Sequence, residues 1–274
     1  MIVEVGDPVV LGVPEGEATL RFGAEPSKVG QYLGRRLLFL DGEAAFELSF
    51  WCGTCQFVFQ RLLGANRTLS ESELRERLAE QSSAIDPTVV HTYGELLGKG
   101  RYLPLLLRIE PKLVMPLGAD DYFSIDQVAT WGVRNFWGLP EYPATPYYRT
   151  FQTVVDEDAH LYEFVVPMVP PAWNESARVE EYVELLAKGV VPTAVAVAIL
   201  DVCAPATSTM ATDYHRHWAL THFLLDGHHK MEAAARSGQP IQLLTLVALD
   251  DCLATEEERE RLVDIRRSPL RTRQ

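Results

Sequence analysis

Apolar and polar residues alternate in short runs over the first 65 positions, and this pattern predicts β-strands. Residues 46–50, Phe-Glu-Leu-Ser-Phe, have the period of two that a half-buried strand requires. Three further apolar runs, at residues 9–13, 18–22 and 36–40, are separated by Gly, Pro and Asp, which are typical of turns. The N-terminal part is therefore predicted to be β-rich.

The middle of the chain has a less regular pattern. A helix is predicted to begin at Ser70, because acceptor side chains and acidic residues precede the apolar positions Leu74 and Leu78. Residues 100–150 are rich in proline, glycine and aromatic side chains. This composition favours loops packed over a core rather than a binding platform.

From about residue 160 the pattern changes to one of alternating strands and helices. The continuous apolar run at residues 194–202 is typical of a strand buried on both faces. The order of elements predicts a compact α/β unit, so we expect a β-rich N-terminal domain, residues 1–155, and an α/β domain, residues 156–274. Strands are predicted at residues 160–166, 194–202, 217–225 and 241–249, and helices at residues 178–188, at residues 230–236 and from Thr255 onward.

Composition and charge narrow the classes of function. The chain has 274 residues and a formal net charge of −13, so a polyanion such as duplex DNA is disfavoured as the main ligand, whereas a small anion in a local pocket is compatible. No apolar run approaches the ~20 residues that span a bilayer. The first residues lack the basic and apolar regions of a secretory signal. We therefore expect a cytoplasmic protein without a membrane partner; a homo-oligomer is compatible with the sequence, which leaves the oligomeric state open.

The most informative segment is residues 225–230, Leu-Asp-Gly-His-His-Lys. An apolar strand runs into Asp226 and Gly227, and a helix is expected to begin at once. The first N–H groups of a helix have no partners inside the helix and, together with the helix dipole, attract anions such as phosphates. Gly227 lets the backbone approach a ligand closely. This turn is therefore predicted to bind a phosphate group.

Polar side chains at this turn are suited to chemistry on such a ligand. His228 and His229 can donate to phosphate oxygens or move protons near neutral pH, and Asp226 can accept from a hydroxyl or hold a metal ion. Lys230 opposes the helix dipole in the first turn, which indicates that it faces an anion. We assign catalytic roles to Asp226, His228 and His229 and ligand binding to Gly227, His229 and Lys230; the alternative is that Asp226 and Gly227 form only a tight turn.

This stretch resembles the ParB/sulfiredoxin-like superfamily, in which a glycine-containing turn that usually ends in arginine opens a helix and binds nucleotide phosphates. The resemblance covers residues 160–250 and implies phosphate contacts from Gly227, His229 and Lys230. Lys230 replaces the usual arginine, so the bidentate fork is lost. His228 stands where sulfiredoxins have a reactive cysteine, which argues against sulfinic-acid reduction.

The resemblance also implies a class of function. The superfamily includes nucleotide hydrolases, amino-acid kinases, sulfinic-acid reductases and nucleases, so the expected protein is a nucleotide-binding enzyme that transfers or hydrolyses a phosphoryl group. ATP, ADP or CTP with Mg²⁺ is the expected ligand. Kinase-like relatives use an acidic base, for which Glu163, Glu180 and Glu181 are candidates. A non-catalytic regulator that retains the fold is an alternative, motivated by Lys230 and the aromatic-rich middle.

Cysteines and histidines provide further candidate chemistry. Residues 51–55, Trp-Cys-Gly-Thr-Cys, are similar to the thioredoxin motif, so a thiol–disulfide protein that uses Cys52 and Cys55 is an alternative function. These two thiols could instead be buried in a turn, or form half of a zinc site completed by Cys203 and Cys252. Five of the seven histidines lie between residues 215 and 229, and a metal site from His215, His217 and His222 with Asp213 or Asp226 is left open. No metal-binding spacing such as H-E-x-x-H is present, so no metal ligand is assigned.

Overall fold

A computed structural model of the chain describes residues 1–25, 35–50, 60–66, 84–127, 145–204 and 216–268. Within these ranges the helices, in chain order, are α1 (Pro87–Gly94), α2 (Ser176–Ala187), α3 (His228–Ser237) and α4 (Glu256–Arg267), with short 3₁₀ turns at Leu63–Asn66 and Pro171–Trp173. The strands are β1 (Ile2–Val5), β2 (Val9–Leu11), β3 (Leu20–Glu25), β4 (Arg35–Leu40), β5 (Glu43–Phe50), β6 (Gln60–Arg61), β7 (Gly100–Ile109), β8 (Lys112–Val114), β9 (Tyr147–Asp156), β10 (Ala159–Pro167), β11 (Thr193–Cys203), β12 (Arg216–Asp226) and β13 (Ile241–Ala248).

Within the described residues, the larger of two sheets has nine strands of mixed direction. Its order is β1-β7-β13-β11-β12-β10-β9-β8, with β2 also paired to β7. Two neighbouring pairs, β10 with β12 and β11 with β13, are parallel, and the remaining pairs are antiparallel. In the parallel β10–β12 pair the register ends with Pro167 opposite Leu224, so the carboxyl ends of these two strands lie side by side.

The smaller sheet is antiparallel, in the order β3-β4-β5-β6, and it covers one face of the larger sheet. Phe46 of β5 packs against Phe223 of β12 with ring centroids 5.3 Å apart. A buried ion pair joins the two sheets, because Nη1 of Arg36 in β4 donates to Oδ2 of Asp201 in β11 at 2.5 Å. The two sheets therefore share one core.

Helices α2, α3 and α4 cover the opposite face of the larger sheet. Each contributes apolar side chains to a second core cluster, for example Val179, Met231 and Leu262. The N-terminus of α4 is fixed by a capping box between Thr255 and Glu258, which confirms the predicted cap at Thr255. The described fold is thus a mixed α/β arrangement of helices, a large mixed sheet and a second antiparallel sheet.

Several predicted elements agree with the structure. The strands predicted after residue 160 correspond to β10, β11, β12 and β13, and the predicted helices correspond to α2, α3 and α4. The prediction that residues 100–150 are loops packed over a core is wrong for the strand β7, for β8 and for the start of β9. Residues 128–144 lie outside the described ranges. The helix predicted from Ser70 lies outside the described residues.

The predicted domain boundary, between residues 155 and 156, falls inside β9. The large sheet combines β1, β2, β7 and β8 from one side of that boundary with β10–β13 from the other. The two predicted parts therefore share one hydrogen-bonded sheet. Among the described residues, none of the helices has the length and apolar character needed to cross a membrane.

Candidate functional site

A cleft of about 190 Å³ lies where β10 and β12 end. Because these strands are parallel neighbours, the segments that follow them leave the sheet at the same edge. One wall of the cleft comes from residues 168–182, which lead into α2, and the other from residues 225–230, which lead into α3. Ligands of open α/β sheets bind typically at such an edge, outside the carboxyl ends of the strands.

Gly227 sets the direction in which α3 leaves the sheet. Its φ angle is +93°, a left-handed conformation that favours glycine. A Cβ atom at residue 227 would lie 2.7 Å from the Cβ of Ala194, which is too close for any side chain. The first helical hydrogen bond, from Met231 N to Gly227 O, follows directly at 2.8 Å. Only glycine therefore fits between the end of β12 and the start of α3.

Lys230 is buried at the base of the cleft. Its Nζ donates to the carbonyl oxygen of Thr193 at 2.9 Å and to Oδ2 of Asp226 at 3.2 Å. The side chains of Lys230 and Asp226 are 4% and 14% exposed. The anion that Lys230 meets within the chain is therefore Asp226, and the charges of these two predicted site residues balance each other.

His228 and His229 connect α3 to the opposite wall of the cleft. Nε2 of His228 accepts from the backbone N–H of Val169, and Nε2 of His229 accepts from that of Glu175, both at 3.2 Å. A ring nitrogen that accepts a hydrogen bond carries no proton, so these contacts require neutral imidazoles with the proton on Nδ1. Asn174 adds a third connection, since its Nδ2 donates to Oε2 of Glu232 at 2.7 Å.

Arg178 brings an exposed positive charge to the cleft. It lies in the first turn of α2, and its guanidinium has no hydrogen bond or ion pair with the described parts of the chain. The first helical bond of α2 is Val179 N to Glu175 O at 3.1 Å, and the Glu175 side chain does not cap this helix. The N-termini of α2 and α3 therefore both border the cleft. Arg178 was not among the residues predicted from the sequence.

The carboxylates considered as an acidic base do not line the cleft. Glu163 is fully buried on the helical side of the sheet, where Oε2 accepts from Arg266 Nε at 2.6 Å. Burial alone would raise the pKa of the Glu163 carboxyl, but Arg266 and His222 outweigh it and hold this pKa below its ordinary value. Glu180 forms an exposed pair with Arg236, and Glu181 is exposed. The candidate role of these three residues is therefore not supported by their positions.

The described histidines of β12 lie on opposite faces of the sheet. Nδ1 of His217 is 2.6 Å from the hydroxyl of Tyr122, whereas Nδ1 of His222 is 2.9 Å from Oγ1 of Thr245 on the helical side. Burial lowers the pKa of His222 to about 4, although Glu163 opposes this shift. His215 and Asp213 lie outside the described residues. Within the described ranges no three His, Cys, Asp or Glu side chains are arranged to hold a metal ion.

Of the cysteines in the described ranges, Cys203 is buried and Cys252 is partly buried. Burial raises the pKa of the Cys252 thiol, which makes the nucleophilic thiolate scarcer near neutral pH. The similarity to the thioredoxin motif concerns Cys52 and Cys55, which lie outside the described residues, so the thiol–disulfide function stays a prediction.

Comparisons with protein-family models, with curated proteins and with solved structures find no match to this chain. The resemblance to the ParB/sulfiredoxin-like superfamily therefore stays a prediction from the sequence.

Proposed function

We propose that the cleft between α2 and α3 binds the phosphate groups of a nucleotide, and that the protein transfers or hydrolyses a phosphoryl group there, as a ParB/sulfiredoxin-like enzyme would. The proposal rests mainly on one arrangement, the meeting of two helix N-termini and the Arg178 guanidinium at the carboxyl edge of β10 and β12. Helix N-termini attract anions through their N–H groups and dipole, and arginine binds phosphate through its planar fork.

The charged side chains that line the cleft, Arg178 and Lys230 with Glu175 and Asp226, sum to zero, whereas the chain as a whole carries −13. Lys230 and Asp226 neutralise each other, so Arg178 is the exposed cation and Glu175 the exposed anion of the cleft. We therefore transfer the main phosphate contact from Lys230 to Arg178. Lys230 holds α3 in place instead, through its hydrogen bonds to Thr193 and Asp226.

Polar groups of the cleft are assigned roles by their hydrogen bonds. Because Nε2 of His228 and of His229 each accepts a backbone N–H, we assign these two imidazoles to phosphate contacts rather than to proton abstraction. Asp226, at the end of β12, is the carboxylate we assign to accept a proton from the attacking water or hydroxyl.

We assign Mg²⁺ to the exposed carboxylate of Glu175 at the cleft, since Mg²⁺ in proteins takes one or two carboxylates together with phosphate oxygens and water. Asp226 keeps its pairing with Lys230 in this arrangement. The ion would offset the negative charge of the phosphates during transfer.

Calorimetric titration of the full chain with ADP and Mg²⁺ tests the binding. We expect Arg178→Ala to weaken ADP binding about tenfold, which is the ~1.4 kcal/mol expected from the loss of one charge-assisted contact. Arg236→Ala is the matched control, because Arg236 is also exposed but lies in the last turn of α3, away from the cleft. Equal affinities of the wild type and Arg178→Ala would refute the assignment. Phosphate release from ATP by the wild type, and its loss in Asp226→Asn, tests turnover.

A further inference from the structure

Trp173 is a large apolar side chain that stays exposed at the rim of the cleft. Its side chain belongs to the 3₁₀ turn Pro171–Trp173 and is 58% exposed. Tryptophan is enriched at binding interfaces, because its large apolar ring and its N–H both contribute to recognition.

The residues that precede and follow Trp173 in the sequence are hydrogen-bonded to α3. Before it, Val169 N donates to His228, and after it Asn174 and Glu175 bond to Glu232 and His229 of α3. These hydrogen bonds fix the turn against the same helix whose first turn lines the cleft. The exposure of the indole is therefore a property of an anchored segment.

Arg61 further orients the indole. Its guanidinium donates to Ala65 O at 2.8 Å and to Asn66 Oδ1 at 2.7 Å, and it lies 5.2 Å from the centroid of the Trp173 ring. This distance is within the range of a cation–π contact. Contact with the Arg61 guanidinium limits the rotation of the Trp173 ring, and the rest of the ring stays exposed to solvent.

The size of the cleft indicates which part of a ligand it encloses. Pockets that enclose a whole drug-sized ligand measure roughly 300–1,000 Å³, whereas this cleft measures about 190 Å³. The phosphates of a nucleotide would enter the cleft, and the remainder would extend over the rim, where Trp173 is located.

We propose that Trp173 stacks on the base of the bound ligand, so that the cleft selects nucleotides over phosphates without an aromatic group. This inference rests on the proposed function of the cleft. Stacking of a base on an aromatic side chain is a recurrent mode of nucleotide recognition and needs little sequence-specific hydrogen bonding. A purine, which overlaps more of the indole than a pyrimidine, is the expected base.

Titration of the full chain with ADP and with pyrophosphate, both with Mg²⁺, tests this inference. Pyrophosphate carries the phosphates without the base. We expect the wild type to bind ADP about tenfold more tightly than pyrophosphate, and Trp173→Ala to lose this preference while its affinity for pyrophosphate is unchanged. Trp173→Phe keeps an aromatic ring and should retain most of the preference. Retention of the preference for ADP in Trp173→Phe would show that the ring contacts the ligand. A variant that destabilised the 3₁₀ turn would instead weaken the binding of both ADP and pyrophosphate.

The possible results distinguish a failure of stacking by Trp173 from a failure of the proposed phosphate site. Equal binding of ADP and pyrophosphate by the wild type, or an unchanged preference in Trp173→Ala, would overturn the stacking and leave the phosphate site intact. Failure of the wild type to bind either ligand would overturn the proposed function, and the inference with it. An equal loss of both affinities in Trp173→Ala and Trp173→Phe would assign the residue to the support of the turn and would also overturn the stacking.

Discussion

The ammonium of Lys230 lies 3.2 Å from the carboxylate of Asp226, four residues earlier, at the junction of β12 and α3. This pair joins the last residue of a strand to the first turn of the helix that follows, and the Thr193 carbonyl adds a bond to β11. The cleft is therefore bordered by a helix whose start is fixed by buried charge as well as by the backbone of Gly227.

Removal of one member of this pair should destabilise the fold. Lys230→Met leaves Asp226 without its countercharge, and we expect a loss of about 2 to 4 kcal/mol in the free energy of unfolding, measured by urea denaturation at pH 7. Arg236→Met is the control, because it removes an exposed pair with Glu180 and should cost less than about 1 kcal/mol. Asp226→Asn combined with Lys230→Met should recover part of the loss. If Lys230→Met and Arg236→Met cost the same free energy of unfolding, the buried Lys230–Asp226 pair stabilises the fold no more than an exposed pair does.

A comparison of Gly227 with Gly189 separates the cost of a positive φ angle from the cost of a steric clash. Both have positive φ angles, +93° and +83°, but a Cβ at Gly189 meets nothing within 4 Å, whereas one at Gly227 meets Ala194. We expect Gly189→Ala to cost about 1 kcal/mol of stability and Gly227→Ala at least about 2 kcal/mol, since the second variant adds a clash to the strain. The measurement is the urea midpoint of each variant. If Gly227→Ala costs no more than Gly189→Ala, the close approach to Ala194 is not a constraint.

His222 should make the stability depend on pH. Its pKa is lowered from 6.5 to about 4 in the folded state, mainly by burial, so between these values the unfolded chain binds a proton that the folded chain does not. Stability from this residue is thus complete above pH 6.5 and is lost as the pH falls toward 4, by about 2 to 3 kcal/mol between pH 7 and pH 4.5.

A non-titrating variant isolates this effect. We expect His222→Asn to be less stable than the wild type at pH 7, and its unfolding free energy to fall less between pH 7 and pH 4.5. An identical change in the wild type and the variant would show that His222 is not the group that titrates.

Breaking the buried pair between Arg266 and Glu163 should cost less stability as the pH falls, whereas the stability that depends on His222 is lost as the pH falls. Arg266→Met leaves Glu163 buried without its partner, so the pKa of that carboxyl should rise above its ordinary value of 4.5. We expect a cost of about 3 kcal/mol at pH 8 that decreases as the pH falls and Glu163 takes up a proton. Adding Glu163→Gln to this variant should remove the pH dependence of the cost. A cost that stays constant from pH 8 to pH 5 would contradict this account.

One side of the cleft could be predicted from local sequence. The apolar strand, the Asp-Gly step and the polar start of a helix predicted the β12–Gly227–α3 junction, because each depends on neighbouring residues. Arg178 and Trp173 could not be placed in the same way. Their position at the cleft follows from the parallel pairing of β10 with β12, which are joined by α2 and β11, and no local pattern encodes that pairing.

A local feature of the sequence explains why strand β7 was not predicted. Pro104 interrupts an otherwise continuous apolar run, and proline within a run argues against a central strand. In the structure β7 nevertheless lies between β13 and β1, and the Pro104 carbonyl accepts from Gly6 N at 2.9 Å. Burial of the leucines on either side of Pro104 outweighs the lost N–H donor.

A crystal structure of the full chain with ADP and Mg²⁺, with phosphorus atoms located by anomalous scattering, would show whether the cleft between α2 and α3 holds the phosphates of a nucleotide, as we propose. We expect both phosphates within the cleft, in hydrogen-bond contact with the guanidinium of Arg178, while Lys230 remains paired with Asp226. Phosphates bound anywhere else on the chain, with the cleft empty, would rule out the cleft as the phosphate site.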